Sequence, residues 1–375
     1  MGSGSSAQKG RGPSKFSDKY SLSHDLGSGA YSVVKLAREI QGGKEYAVKL
    51  INSAKLSPDD LSSLTTEISI LKLLDHPHII KLYEVYDEPP QYFLVTELVS
   101  GGELFDRIVS KQQYTEKEAR DLIKLFLETM NYMHELDVVH RDLKPENLLL
   151  CSDKDDADIK IADFGFAKKI STLQVKEQAC GTPGYVAPEI LRGDRYGAEV
   201  DIWSMGVICY VLLAGYPPFY DEDQKKLFRK IKNGQYHFHE EYWKAISPEA
   251  IDLITKMLTV NQKQRWTAKM LLSHPWITAS NELLAGRELD STIKQLKRYN
   301  ARRRLRAAAD AVIAANRISA GLSKLLSAGR AMSQEESNIV DDDKPSLEDM
   351  LPSEEGIAND SDAHGGEASK EGVAD

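Results

Sequence analysis

Two short stretches, HRDLKPENLLL and DFG, hold four polar side chains whose types suit the transfer of a phosphoryl group. Asp142 can accept the proton of an attacking hydroxyl group, and Lys144 can balance negative charge on the moving phosphoryl group. Asn147 and Asp163 offer the hard oxygen ligands with which proteins bind Mg²⁺ beside nucleotide phosphates. The alternative, a polar turn followed by a bend, requires every residue to stand at the required spacing by chance. The two stretches therefore indicate a catalytic loop and a metal ligand.

A glycine-rich stretch near the N-terminus, LGSGAYSVV, can bring backbone N–H groups close to phosphate oxygens. Alone it is a weak signal, since Gly-Ser pairs are common in hairpin turns. It lacks the Gly-Lys-Ser/Thr of a Walker loop, and a strand pattern follows it rather than the helix of a dinucleotide-binding fold. The nucleotide contacts that we assign to it are Leu26, Gly27, Ser28, Gly29 and Val34.

The next predicted strand, KEYAVKLI, carries Lys49. A lone lysine on a strand is usually only solvated. Glu67 lies on the predicted helix that follows, where its carboxylate could pair with the Lys49 ammonium group and hold it against nucleotide phosphates. This pair makes phosphate binding by the glycine-rich stretch the stronger interpretation.

The elements that must position these residues change character along the chain. Residues 20–98 hold short runs of Val and Ile with polar breaks, which predict strands around one helical pattern. Beyond them, the apolar spacing predicts helices at 117–135, 199–214, 223–233 and 248–258. A β-rich first part and a helical second part predict an α+β fold of two lobes with a cleft between them.

Together with GTPGYVAPE and DIWSMG, these motifs resemble those of the serine/threonine protein kinases. The resemblance covers 20–277 and implies an N-lobe at about 20–98 and a C-lobe at about 99–277. It also implies ATP and Mg²⁺ as cofactors. It further implies a structural ion pair between Glu189 and Arg265. The adenine contacts that it implies are Ala47 and Leu149, which flank the base, and the hinge residues Glu97 and Val99.

Two carboxylates near the predicted cleft mouth, Glu103 and Glu146, favour protein substrates with basic residues upstream of the target Ser or Thr. In related kinases this gives a preference for Arg three residues before the target. The alternative for Glu103 is a helix-start carboxylate that interacts with the helix dipole.

A basic segment follows the kinase-like residues, and its run LKRYNARRRL is similar to the regulatory segment of calcium/calmodulin-dependent protein kinases, especially type II. Calmodulin is acidic and takes bulky anchors from a basic amphipathic helix. We expect residues 278–328 to inhibit the kinase and to bind calmodulin. A membrane-surface helix and a plain C-terminal helix are the alternatives. The predicted calmodulin contacts are Arg302, Arg303, Arg304, Leu305, Val312 and Ile318.

Two departures from related kinases bear on regulation. Thr292 aligns with the autophosphorylated threonine of type II, but Leu289 stands three residues before it, where an arginine is expected. Gln178 occupies the position at which several relatives carry a threonine phosphorylated by an upstream kinase.

The formal net charge of −9 comes from the tail, because residues 334–375 hold fourteen Asp and Glu against two Lys. We expect disordered segments at 1–19 and 329–375. Three cysteines without metal-site spacing indicate a reducing compartment, so we expect a cytoplasmic protein. The acidic tail cannot fold into the association domain of the type II enzymes, so we expect a monomer, and we expect no nucleic-acid partner. MGSGSS matches the myristoylation pattern, and acylation of Gly2 would add membrane association.

Overall fold

The computed structural model describes residues 15–28, 32–153, 158–173, 180–289, 291–306 and 308–309. The predictions for Gly2, Gly29, Gln178, Val312, Ile318 and the tail at 329–375 lie outside these residues. No helix among the described residues is long and apolar enough to cross a membrane.

The N-lobe is built on one antiparallel sheet with the strand order β1-β2-β3-β5-β4. Val48 and Val95 are buried partners on neighbouring strands, so this face of the sheet forms the small core of the lobe. The strands are β1 (Tyr20–Ser28), β2 (Ser32–Glu39), β3 (Glu45–Asn52), β4 (Leu82–Glu88) and β5 (Gln91–Thr96).

The leader that we expected to be disordered as far as residue 19 ends in a short helix, α1 (Phe16–Lys19). The ring of Phe16 stacks on that of Phe93, with centroids 4.4 Å apart, and the side chain is buried. Burial of an aromatic side chain stabilises the order of the segment that carries it. The prediction was therefore wrong for these last residues.

Helix α2 (Pro58–Leu73) begins at a capping box. The Ser57 hydroxyl accepts a hydrogen bond from the Asp60 N–H at 3.2 Å, and the Asp60 carboxylate accepts one from the Ser57 N–H at 3.2 Å. This capping box, with Pro58 in the first turn, fixes the start of the helix. The helix carries the buried Glu67 towards β3.

The C-lobe is helical and holds most of the core. Its central helix, α6 (Glu199–Ala214), is buried on nearly all sides and is apolar all round, as expected for a helix inside a core. Four short strands form two antiparallel pairs, β6 with β9 and β7 with β8. They are β6 (Val138–Val139), β7 (Leu148–Leu150), β8 (Ile159–Ile161) and β9 (Lys168–Lys169). The other helices are α3 (Leu104–Ser110), α4 (Glu116–Glu135), α5 (Pro188–Arg192), α7 (Gln224–Lys232), α8 (Glu240–Trp243), α9 (Pro248–Met257), α10 (Ala268–Leu272), α11 (Pro275–Thr278) and α12 (Asn281–Ala285).

A further helix at 291–306, called the C-terminal helix below, belongs to the same compact unit as both lobes. Leu284, Leu289, Ile293 and Leu296 are buried in the C-lobe core around this helix and the turns before it. The packing therefore continues past residue 277, where the motifs end, because the apolar side chains that complete the C-lobe lie beyond it.

Candidate active site

The phosphate-binding part of the candidate site lies on β1, β2 and β3. Gly27 is paired with Val34 across β1 and β2, and Val34 is paired with Lys49 across β2 and β3. The Lys49 ammonium group lies 2.8 Å from the Glu67 carboxylate. This register sets the glycine-rich stretch beside the Lys49–Glu67 pair, with the half-exposed side chain of Leu26 at the edge.

The hinge segment follows β5 directly. Ala47 on β3 is paired with Thr96, the last residue of β5, so Ala47 adjoins the start of the hinge. The Glu97 carboxylate is fully committed, since it accepts a hydrogen bond from the Lys81 N–H at 2.6 Å and pairs with Lys160. Because the side chain is occupied, only the backbone groups of Glu97 remain to form hydrogen bonds with an adenine base. Val99 lies two residues on, in the half-buried stretch before α3.

The carboxylate of Asp142, the predicted general base, is held by two neighbouring side chains. One carboxylate oxygen accepts a hydrogen bond from the Thr182 hydroxyl at 2.9 Å, and the other lies 2.5 Å from the Lys144 ammonium group. The carboxylate is held at a fixed orientation, as proton transfer in a positioned complex requires. Gly181 precedes Thr182 with φ +100°, and a Cβ there would lie 2.9 Å from the Arg141 carbonyl oxygen. The close approach of the two loops therefore depends on glycine.

Asp201 holds this catalytic loop and was not predicted as a site residue. Its carboxylate accepts hydrogen bonds from the N–H groups of His140 and Arg141, both at 2.9 Å, and lies 3.0 Å from the His134 ring. Burial alone would raise the pKa of Asp201, but these histidines outweigh burial and lower it. The loop includes Arg141 in a left-handed conformation with φ 70°, the kind of strained backbone that surrounding contacts must hold in place.

The residues present fit Mg²⁺ and a nucleotide. The Asn147 side-chain amide donates a hydrogen bond to the Asp142 carbonyl oxygen at 2.9 Å, which leaves its own oxygen as the group that can face a cation. Asp163 is exposed and has a left-handed backbone, φ 63°, just before the buried Phe164. Within the described ranges no group of three His, Cys, Asp or Glu side chains could hold a metal.

The floor of the nucleotide region is formed by the β7–β8 hairpin. Leu149 lies on β7, is half-buried, and forms an isolated bridge with Glu103 at the start of α3. This bridge connects Leu149, the predicted contact under the base, to Glu103, a predicted substrate contact at the cleft mouth. The predicted adenine contact and the predicted substrate contact are next to each other in space.

Glu103 and Glu146 converge on one guanidinium group. Arg303 of the C-terminal helix pairs with Glu103, and its Nη1 lies 2.9 Å from Glu146 Oε1. Burial opposes the charge of Arg303, but hydrogen bonds and charges from the two glutamates outweigh it and raise the pKa of the guanidinium group. The two carboxylates together therefore bind an arginine in this structure.

A third carboxylate, Asp106, was missed by the sequence analysis. It accepts a hydrogen bond from the Asn300 amide at 3.0 Å and pairs with Arg304. Its position one turn along α3 from Glu103 is a signal that could have been used, because residues three apart share one helix face.

Further contacts fasten the C-terminal helix to the C-lobe. The Tyr299 hydroxyl bonds to that of Tyr185, and the Thr292 hydroxyl donates to the Leu213 carbonyl oxygen at 2.6 Å. Thr292 is only 1% exposed. Gly215, with φ +79°, lies under the helix, and a Cβ there would be 2.5 Å from the Thr292 carbonyl oxygen. Tight packing thus begins at the first turn of the helix.

The predicted calmodulin contacts divide between the two faces of this helix. Arg302, Arg304 and Leu305 are exposed, and Leu305 is 72% exposed, which is high for an apolar side chain. Arg303 instead faces the cleft mouth. One predicted residue is thus held by the kinase lobes while its neighbours remain accessible.

The protein kinase domain model matches residues 20–277. The chain therefore belongs to the protein kinase family, and the predicted fold of a β-sheet N-lobe and a helical C-lobe is confirmed.

Over 338 residues the chain is 44% identical to the calcium/calmodulin-dependent protein kinase type II subunit delta of Oryctolagus cuniculus. The alignment covers 89% of this chain and 63% of that protein, so the chain spans less than two thirds of its relative's length. This likeness confirms the resemblance to that group of kinases drawn from the motifs.

Proposed function

We propose that the chain is a Ser/Thr protein kinase, inhibited by its own C-terminal helix and released by Ca²⁺-loaded calmodulin. Its substrates would be proteins with an arginine upstream of the target residue. The pairing of Arg303 with both Glu103 and Glu146 carries the proposal, because the helix puts a basic side chain where a substrate arginine would bind.

ATP with Mg²⁺ would supply the phosphoryl group. Lys49, held by Glu67, would bind nucleotide phosphates, and Asn147 and Asp163 would ligate the metal. Asp142 would orient the target hydroxyl group and take its proton, while Lys144 balances charge on the phosphoryl group. Positioning of this kind is the main contribution of a protein to phosphoryl transfer.

Inhibition would be competitive with protein substrates. A guanidinium group held by two carboxylates makes the strong, directional pairing that a substrate arginine needs, so both cannot be bound together. Thr292 lies in the first turn of the docked helix and is buried against the C-lobe, so its phosphorylation would require the helix to leave first.

Calmodulin would activate the kinase by binding the C-terminal helix and displacing it from the cleft mouth. Exposed Arg302, Arg304 and Leu305 offer charge and an apolar anchor for a first encounter, and Val312 and Ile318 would extend the binding surface. The relative named above is calmodulin-dependent, which supports the same dependence here. We assign 20–277 to the catalytic domain and 278–328 to this regulatory segment, in a cytoplasmic monomer whose Gly2 is a candidate for myristoylation.

The test is the rate of phosphorylation of an Arg-x-x-Ser peptide by the full chain with Mg-ATP, with and without Ca²⁺-loaded calmodulin. We expect a large increase on adding calmodulin, and no activity in either condition for the Asp142→Asn variant. Equal activity of the wild-type chain in both conditions would remove the calmodulin switch and leave the kinase.

Two other functions remain as alternatives. If the chain is a pseudokinase scaffold, the wild-type chain phosphorylates no peptide, and the Asp142→Asn variant has no activity to lose. A membrane role for the basic helix predicts that anionic vesicles sediment the full chain but not a chain lacking residues 290–330, with no effect of calmodulin on activity.

A further inference from the structure

Lys160 is a buried lysine that the catalytic scheme does not use. It lies on β8 between Ile159 and Ile161, which are both fully buried, and its own side chain is 11% exposed. Lysine is almost never buried to this extent unless it is paired. Its partner is Glu97 in the hinge, with 3.0 Å between Lys160 Nζ and Glu97 Oε2.

The pair is part of a closed set of contacts behind the hinge. The other Glu97 oxygen accepts from the Lys81 N–H at 2.6 Å, and the Glu97 N–H donates to the Lys81 carbonyl oxygen at 3.0 Å. Both the side chain and the backbone of Glu97 are therefore fixed. Rotation of the 97–99 segment would break an ion pair and two hydrogen bonds together.

The same hairpin holds the rest of the hinge. The Ser100 N–H donates to the Cys151 carbonyl oxygen at 3.1 Å, and the Gly101 N–H donates to the Leu150 carbonyl oxygen at 2.9 Å. Lys160 is also the cross-strand partner of Leu149, the predicted contact under the base. One residue thus touches the hinge through its side chain and the floor of the nucleotide region through its strand.

We propose that Lys160 is a positioning residue for the nucleotide: its ammonium group holds the Glu97 side chain, and with it the backbone that would face adenine. The inference rests on the proposed kinase function, because it deepens the account of its nucleotide site. Loss of the ammonium group removes the ion-pair partner of the largely buried Glu97 carboxylate. The carboxylate then has to turn towards water and takes the 97–99 backbone with it.

The main variant is Lys160→Met, which keeps most of the chain length and removes the charge. We expect the Kd for fluorescently labelled ATP with Mg²⁺, and the KM for ATP, to rise about tenfold, since small misplacements of positioning groups have effects of this size or larger. The kcat should change by less than about twofold, because a loss of uniform binding raises KM alone. Lys160→Arg should restore most of the affinity.

Two further variants separate this role from general stability. Lys160→Met combined with Glu97→Gln should bind ATP more tightly than Lys160→Met alone, because no unpaired carboxylate remains. Lys269→Met, which removes an exposed lysine on α10, is the matched control and should bind ATP as the wild-type chain does.

A nucleotide with a changed base separates a role in positioning adenine from a general structural role of Lys160. Purine riboside triphosphate lacks the amino group of adenine and makes one hydrogen bond fewer with the hinge, so Lys160→Met should weaken its binding less than that of ATP. Equal losses for the two nucleotides would indicate a general structural role and overturn the inference.

An unchanged ATP affinity in a folded Lys160→Met variant would also overturn it. If that variant does not fold, Glu97→Gln takes its place. Its amide can keep hydrogen bonds but not the ion pair, so the expected rise in Kd is smaller, about threefold. An unchanged affinity there is equally decisive against the inference. A wild-type chain that binds no nucleotide in the presence of Mg²⁺ would instead contradict the proposed function.

Discussion

Two arginine–glutamate pairs of the C-lobe have the same chemistry and opposite surroundings. Arg265 donates two hydrogen bonds to Glu189, at 2.6 and 3.0 Å, and both side chains are at most 1% exposed. Arg303 is 9% exposed, but its partners Glu103 and Glu146 are 27% and 33% exposed. The Arg265–Glu189 pair has no access to water, while the glutamates that bind Arg303 are partly exposed to it.

This difference decides what each pair can do. Arg265 also donates hydrogen bonds to the carbonyl oxygens of Thr259 and Glu199, at 2.9 and 2.7 Å, so its guanidinium group is held from several sides inside the lobe. The carboxylates that hold Arg303 can instead exchange it for water or for another guanidinium group. The buried pair is suited to a permanent structural role, and the half-buried pair is suited to a reversible one.

The largest effect is expected from Arg265→Met, which leaves the Glu189 carboxylate buried and unpaired. We expect the free energy of unfolding to fall by about 3–5 kcal/mol, measured by chemical denaturation. The double variant Arg265→Met with Glu189→Leu should recover part of this loss. A single variant as stable as the wild-type chain would show that the two pairs do not differ as described.

Arg303→Ala should act on activity more than on stability. Two charge-assisted contacts are lost, worth about 1.5–3 kcal/mol of helix docking, so activity without calmodulin should rise about tenfold or more. The free energy of unfolding should fall by no more than this docking contribution, which is less than the loss expected for Arg265→Met. Arg302→Ala, on the exposed face of the same helix, is the matched control, and equal basal activity in the two variants would contradict the comparison.

Gly215→Ala tests the docking of the helix without touching any charge. The new Cβ would lie 2.5 Å from the Thr292 carbonyl oxygen, and alanine also disfavours a φ of +79°. We expect docking to weaken by about 1–2 kcal/mol, with a corresponding rise in basal activity and unchanged activity with calmodulin. Faster exchange of the backbone amides of 291–306 in the free chain would support the same conclusion.

The smallest effect is expected for Arg304→Ala. Its pair with Asp106 is exposed, with 65% of the arginine side chain accessible, and exposed pairs contribute less than about 1 kcal/mol. Basal activity should rise less than about fivefold, and the rise should disappear in high salt. A change as large as that of Arg303→Ala would mean that exposure does not separate these contacts.

The candidate catalytic residues could be proposed from the sequence because they lie in short, contiguous stretches. Asp142, Lys144 and Asn147 lie within six residues, and the loop they form needs only local spacing to be recognised. The Lys49–Glu67 pair was predicted from a strand and the helix after it, and it lies at 2.8 Å in the structure. Their roles in phosphoryl transfer remain predictions.

Other features depend on contacts between residues that are far apart in the sequence. Asp106 was missed because its partners Asn300 and Arg304 lie almost 200 residues away, and the hold of Asp201 on the catalytic loop spans about 60 residues. The expected disorder up to residue 19 was wrong because the ring that orders α1, Phe93, belongs to a distant strand. Composition alone could not reveal that contact.

The sequence by itself determined the family, the two-lobed fold and the residues suited to chemistry, because motif spacing and apolar periodicity are properties of neighbouring residues. Only the tertiary structure decided which face of the basic helix is buried, that Thr292 is inaccessible, and that Arg303 lies between Glu103 and Glu146. These features depend on packing between segments up to 200 residues apart. From the sequence alone, the same basic side chains would be equally compatible with a helix that is exposed to solvent on all sides.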